Sequence, residues 1–241
     1  IYEDGKVEHK NEFIHTKTGE FPNFEFVRAL KISLETDEGS IFKYSPHENT
    51  ILNKIAEQLK KSKEVDKEEL IAFIRTITNN SKTGHEGYRN MIDLLEVVKW
   101  FYIEKSMKGS NSIKAVLPSV LSQSEYLQEK YSTEIYGSEE YPSKNFTHKV
   151  WLKRNAKGGL INPYEQLDAV FDGFTDDDFK DLITDDASLN NGGAAMVAWA
   201  KMQFTEMSKE EHHALRKALL RYCELDTLAM VMIVEAFREW V

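Results

Sequence analysis

The last segment constrains this chain most. Ser208-x-x-Glu211 is a capping box, in which a hydroxyl and a carboxylate each satisfy an exposed backbone N–H, and it opens a run that predicts one long helix reaching Trp240. Leu219, Leu220, Leu228, Ala229, Val231, Met232 and Phe237 leave that helix nearly apolar all round, which places it inside the domain. A polar side chain on such a helix needs a partner, because burying a bare charge is costly. Tyr222 and Asp226, four residues apart, share one face about a turn from each other. They are either a hydrogen-bonded core pair or two side chains of one site. Cys223, the single cysteine, cannot form an intrachain disulfide and is expected as a small buried side chain.

Composition bounds the rest. The 241 residues are 41% hydrophobic and 29% charged, the balance of a soluble globular chain with a well-supplied core. No apolar run approaches the roughly 20 residues of a membrane-spanning helix, so no membrane partner and a cytoplasmic location are expected. The formal charge of −9 argues against a broad basic surface for duplex DNA but not against a pocket that gathers carboxylates around metal. Ile1 leads straight into a strand-like run, which suggests an interior starting point in a longer polypeptide with other domains.

Along the chain, strands are predicted at Ile1-Tyr2-Glu3 and over 7–15, on either side of an Asp4-Gly5 turn, followed by a helix over 23–35. Ser40 to Tyr44 reads as a strand stopping at Pro46, and Ile51, Leu52, Ile55 and Leu59 mark the helix after it. A charged stretch over 60–67, a helix over 70–77, a polar loop over 79–87 and a strand-to-helix unit over 91–102 come next. Ile113 to Leu117 is expected as a short helical turn that Pro118 interrupts, and 124–131 as a helix. Residues 133–190 change character, with 12 acidic residues against 6 Lys plus Arg, and include Asp176-Asp177-Asp178. They also carry Phe146, Val150, Trp151, Leu152, Tyr164, Leu167 and Phe171, enough apolar surface to fold against the main domain. The division expected is therefore 1–132, an insertion at 133–190, and helices over 191–241 that complete the first part.

Further candidates lie in the loops. Tyr44-Ser45-Pro46-His47-Glu48-Asn49 puts Glu48 beyond a strand's C-terminal end, where α/β sites assemble. There it either reaches a metal or complements the helix dipole. His47 and Asn49 read as loop hydrogen-bonders. Asp93 either caps the helix after it or faces the same cleft. Gly109-Ser110-Asn111-Ser112-Ile113-Lys114 opens a helix, so Ser110 and Ser112 either cap it or join its free N–H groups and Lys114 in holding a phosphate.

Taken in order, these segments resemble the later motifs of DnaQ-like exonucleases of the tyrosine subclass. Tyr44 to Leu52 resembles the second motif, Asp93-Leu94-Leu95 the acid-started helix after it, Ser112 to Leu117 the following Ser-Leu-Lys helix, and Tyr222-x-x-x-Asp226 the third motif. More closely, Gly109 to Pro118 and Tyr222 to Met230 look like the family called domain of unknown function 2779, which is similar to DnaQ nucleases and has no established substrate.

The resemblance implies an RNase H-like α/β fold: a mixed sheet flanked by helices, here lacking its first strand and carrying a large insertion. It implies two Mg²⁺ or Mn²⁺ ions held by four acids, with Asp226 and Glu48 as ligands, Asp93 as a third candidate, and Tyr222 orienting the attacking water. Ser110, Ser112, Lys114 and Asn49 would bind substrate. The expected activity is 3′→5′ hydrolysis of DNA or RNA at a single-stranded 3′ end. Two departures stand out. Glu48 replaces the usual Asp, and the Asp-x-Glu motif is absent, so this piece alone is expected to be inactive. Glu48, Asp226 and Tyr222 are expected to converge in one cleft. The rival expectations are a non-catalytic nucleic-acid-binding or protein-interaction module on the same fold, and a phosphohydrolase of small nucleotides.

Overall fold

The structure is a computed structural model that describes residues 1–167 and 191–241, the side chains of 191–194 excepted. Phe171 and the Asp176-Asp177-Asp178 run lie outside the described residues. The chain is mixed α/β and mostly helical, with two short sheets among the described residues. It divides into two compact units, Phe21–Ser119 and Ile1–Glu20 with Val120–Val241. This division follows compactness, whereas the sequence boundaries at 132/133 and 190/191 follow composition.

In the unit Phe21–Ser119, helix α1 is Asn23–Leu34, strand β1 Phe42–Lys43, α2 His47–Lys61 and α3 Lys67–Ile77. Each helix turns its apolar stripe inward. Val27, Leu52, Ile55, Leu59, Leu70, Ile74 and Ile77 form one buried cluster, with Phe24, Leu30 and Leu34 packed on its rim. Asn79–Asn80 (β2) and His85–Glu86 (β3) pair antiparallel, so the stretch expected as a polar loop is a small hairpin. Gly84 supplies the positive φ its turn requires. Ile92–Asp93 (β4) runs parallel to β1 with Phe42 opposite Ile92 and Lys43 opposite Asp93, and leads directly into α4, Leu94–Phe101.

Helix α5 is Ile113–Gln123 and passes through Pro118 without stopping, contrary to the expected interruption. Val116, Leu117, Val120 and Leu121 are fully buried, and that burial outweighs the roughly 3 kcal/mol a proline costs inside a helix.

The other unit is built on one helix. After α6, Glu125–Tyr131, and α7, Asn191–Phe204, comes α8, Lys209–Glu239, whose 31 residues carry the predicted capping box at Ser208 and Glu211. Helix α7 packs on α8 through Ala198, Met202, Leu215 and Leu219. Residues 1–20 form no strand, although the Asp4-Gly5 turn is present. Val7 is buried and His9 reaches a carboxylate on α8, so the alternation read as a strand belongs to an extended segment anchored by side chains. Cys223 is exposed on α8, not buried as expected. No helix among the described residues is long and apolar enough to cross a membrane.

Candidate functional site

The predicted residues fall into two groups, one in each unit. On α8, Tyr222 is buried and hydrogen-bonds Asp226, as the four-residue spacing predicts. Burial and then the Asp226 charge push the Tyr222 phenol well above its usual value, so it stays neutral at physiological pH.

A residue that the sequence did not single out for chemistry completes this pair. The Tyr164 hydroxyl donates to Asp226 Oδ1 at 2.6 Å, and the Tyr164 and Tyr222 ring centroids lie 6.1 Å apart. Tyr164 sits on a 3₁₀ turn, Pro163–Gln166, capped by Asn162, and Gln166 Nε2 pins that turn to the Trp151 carbonyl at 2.7 Å. Asn162-Pro163 was a legible signal for such a turn, with a capping side chain followed by proline at the first helical position.

Two residues before the half-buried Asp226, on another face, Glu224 is a buried carboxylate. It accepts from the Tyr136 hydroxyl at 2.7 Å, Asn145 Nδ2 at 2.8 Å, His9 Nδ1 at 2.8 Å and the Ser143 hydroxyl. Eleven residues on, back on the Glu224 face, Glu235 accepts from the Tyr131 hydroxyl at 2.8 Å and from Lys130. Residues 130–167 thus dock on α8 through hydroxyls, an amide and an ammonium, each meeting a carboxylate.

In the unit Phe21–Ser119, the carboxyl ends of β1 and β4 bring together Lys43, Asp93 and the first turn of α2. Asp93 Oδ1 accepts from Ser45 N at 2.9 Å and Leu95 N at 3.1 Å, while Oδ2 accepts from Lys43 Nζ. Asp93 is therefore the α4 cap and half of a part-buried ion pair. Burial opposes its ionisation, but Lys43 and the two N–H groups hold its carboxyl below the usual range.

Glu48 stands exposed in the first turn of α2. The protein beneath it desolvates the carboxyl and Asp93 adds repulsion, which together raise it above the usual range against its own N–H, His47 and Lys43. Asn49 is held by Asn79, donating to its carbonyl at 3.1 Å and accepting from its N–H at 2.9 Å. Tyr44 donates to the Asn111 carbonyl at 2.6 Å, which fixes the loop that holds Ser110 and Ser112. Ser110 Oγ accepts from Ser112 N at 3.3 Å, and Lys114 stands on the first turn of α5.

Among the described residues, no group of three or more His, Cys, Asp or Glu side chains could hold a metal ion. Asp93 is engaged by Lys43 and two N–H groups, and Asp226 by two phenols, so the residues described do not by themselves fit the ions that the resemblance implies. An open groove of about 690 Å³ near the α7–α8 turn, lined by Thr18, Met202, Gln203, Phe204, Met207 and His212, contains none of the predicted residues.

Residues 1–112 match the family described as Domain of unknown function (DUF2779). That stretch includes Glu48, Asn49, Asp93, Ser110 and Ser112, and stops short of Lys114, Tyr222 and Asp226. No curated protein and no solved structure matches the chain.

Proposed function

We propose that this chain contributes to a 3′→5′ exonuclease on an RNase H-like frame, related to the DnaQ-like enzymes, that hydrolyses phosphodiester bonds at single-stranded nucleic-acid 3′ ends. The observation that carries the proposal is the Tyr222–Asp226 pair, held one turn apart inside α8 with Tyr164 fixing the carboxylate. Such a pair keeps a neutral phenol and a carboxylate in constant relation, as positioning a reacting group demands. The cofactor this reading implies is Mg²⁺ or Mn²⁺, whose ligands are not assembled by the described residues alone. The chain's own side chains contribute two things. Tyr222 presents a hydroxyl that stays protonated, and Asp226 is locked in orientation. A cytoplasmic setting accompanies this reading.

The test uses the full-length protein with a 3′-labelled single-stranded oligonucleotide and Mn²⁺. Asp226→Ala abolishes release of 3′ nucleotides and Tyr222→Phe lowers it about 100-fold or more, in the range for losing a positioned proton-handling group. Unchanged cleavage in Asp226→Ala defeats the proposal.

A second reading is favoured by the Lys43–Asp93 ion pair, which occupies the strand ends where a third metal ligand is expected. On that reading the chain is a non-catalytic binding module. Full-length protein that binds oligonucleotide without cleaving it at any Mn²⁺ concentration supports it.

A further inference from the structure

The stretch that runs from α4 to the first turn of α5 departs from the rest of the sequence in charge and from ordinary protein surfaces in what it exposes. From residue 96 to residue 114 it carries Lys99, Lys105, Lys108 and Lys114 against Glu96 and Glu104, a net of +2 within a chain of −9, and Lys99 is paired with Glu96 at 2.7 Å. In the same stretch Trp100 is 76% exposed, Phe101 83% and Ile103 90%. Large apolar side chains grouped on a surface mark a binding site more often than isolated ones do.

The exposed side chains are held from behind. Tyr102 turns inward and shares a 2.9 Å hydrogen bond with Ser119, Ser106 donates to the same hydroxyl at 2.8 Å, and Met107 is buried. The following loop is fixed by the Tyr44 bond to Asn111. Trp100 and Phe101 therefore stand outward on an anchored backbone, with the exposed ammonium groups of Lys105 and Lys108 and the hydroxyl of Ser110 following them.

We infer that residues 99–112 form a binding surface for single-stranded nucleic acid, with bases stacking on Trp100 and Phe101 and phosphates meeting Lys105, Lys108 and the Ser110–Ser112 loop. Flat aromatic faces beside cations are what sequence-tolerant strand binding uses, because every base has a π face and every step a phosphate. A lipid headgroup surface would take the same aromatic and basic side chains, and the vesicle arm of the test distinguishes it. A protein partner would have to present carboxylates to the lysines, and the sedimentation arm distinguishes it. The inference rests on the nucleic-acid part of the proposed function and is independent of cleavage.

The experiment titrates full-length protein into 5′-fluorescein-labelled dT₂₀ without divalent ions and follows anisotropy as salt is raised. Wild type binds at low salt, and log K falls with log salt at a slope of about −1.4 to −2, as expected for two or three phosphates on a single strand. The double variant W100A/F101A loses about ten-fold or more in affinity, and K105E/K108E loses affinity and flattens the salt slope. All four positions are exposed, so thermal melts of both variants match wild type. Binding is read without divalent ions, so it is scored separately from the metal-dependent cleavage of the catalytic proposal. Equal dT₂₀ affinity in wild type and both variants overturns the inference. So does binding confined to phosphatidylglycerol vesicles, or self-association in sedimentation that W100A/F101A removes while dT₂₀ is never bound.

Discussion

The hydroxyl of Tyr164 lies 2.6 Å from Asp226 Oδ1, joining residues 62 positions apart in the chain. Asp226 therefore receives phenols from two directions, Tyr222 one turn away on its own helix and Tyr164 from a separate 3₁₀ turn. The first contact is local and the second is tertiary, and only together do they fix the carboxylate.

Tyr164→Phe removes the tertiary donor and leaves the ring. A hydrogen bond to an acidic side chain at a half-buried position is worth about 1–3 kcal/mol, so urea denaturation should show a loss of that size with an unchanged m-value. A change below about 0.3 kcal/mol would mean that the bond is not held in solution.

Glu224 and His9 give a pH signature. Burial opposes the charge of Glu224, yet His9, Ser143, Tyr136 and Asn145 hold its carboxyl below the usual range. Burial likewise opposes protonation of His9, and Glu224 raises it above 6.5 on balance. The carboxylate's contribution is present above its unfolded value of about 4.3 and is lost as pH falls through the depressed folded value. The imidazolium's contribution is complete below about 6.5 and is lost as pH rises through the raised folded value. The pair stabilises most between those limits. Thermal melts of wild type and His9→Gln should differ most near pH 5–6 and converge in the alkaline range, and a difference that grows with pH would refute the linkage.

Lys43 and Asp93 test whether the strand ends are structural. Lys43→Met leaves the part-buried Asp93 with N–H donors but no counter-charge, a change that costs about 1–3 kcal/mol, less than the roughly 3–5 kcal/mol of a fully buried pair. Between them Ser45 holds a φ of 105°, a strained value for a residue with a Cβ, so Ser45→Gly should recover up to about 1 kcal/mol. Denaturation midpoints check both signs. A neutral Lys43→Met would show that Asp93 has another compensating partner.

Gly137 tests the docking of residues 133–150. Its φ is +81°, and a Cβ there would stand 2.3 Å from the Phe146 carbonyl oxygen. Gly137→Ala should therefore destabilise by more than the usual ~1 kcal/mol of a positive-φ alanine and should weaken protection of the Trp151 and Lys149 amides in hydrogen exchange. Wild-type exchange rates at those amides would contradict the packing described.

Where a short stretch of sequence decides the outcome, the sequence was sufficient. The capping box and apolar run fixed α8, the inward stripes fixed α1, α2 and α3, and four-residue spacing alone set Tyr222 against Asp226, because helical periodicity and capping depend only on neighbours. Even a local signal failed where burial overrode it, as at Pro118, whose helix continues because Val116, Leu117, Val120 and Leu121 are buried. Partner choice was not legible. Nothing near Asp226 in the sequence names Tyr164, nothing near Glu224 names His9, Tyr136 or Asn145, and the alternation over 7–15 looked the same whether a strand or a set of side-chain anchors awaited it. A buried carboxylate's need for donors follows from the sequence. Which donors arrive depends on how distant segments pack, and only the tertiary structure decided that.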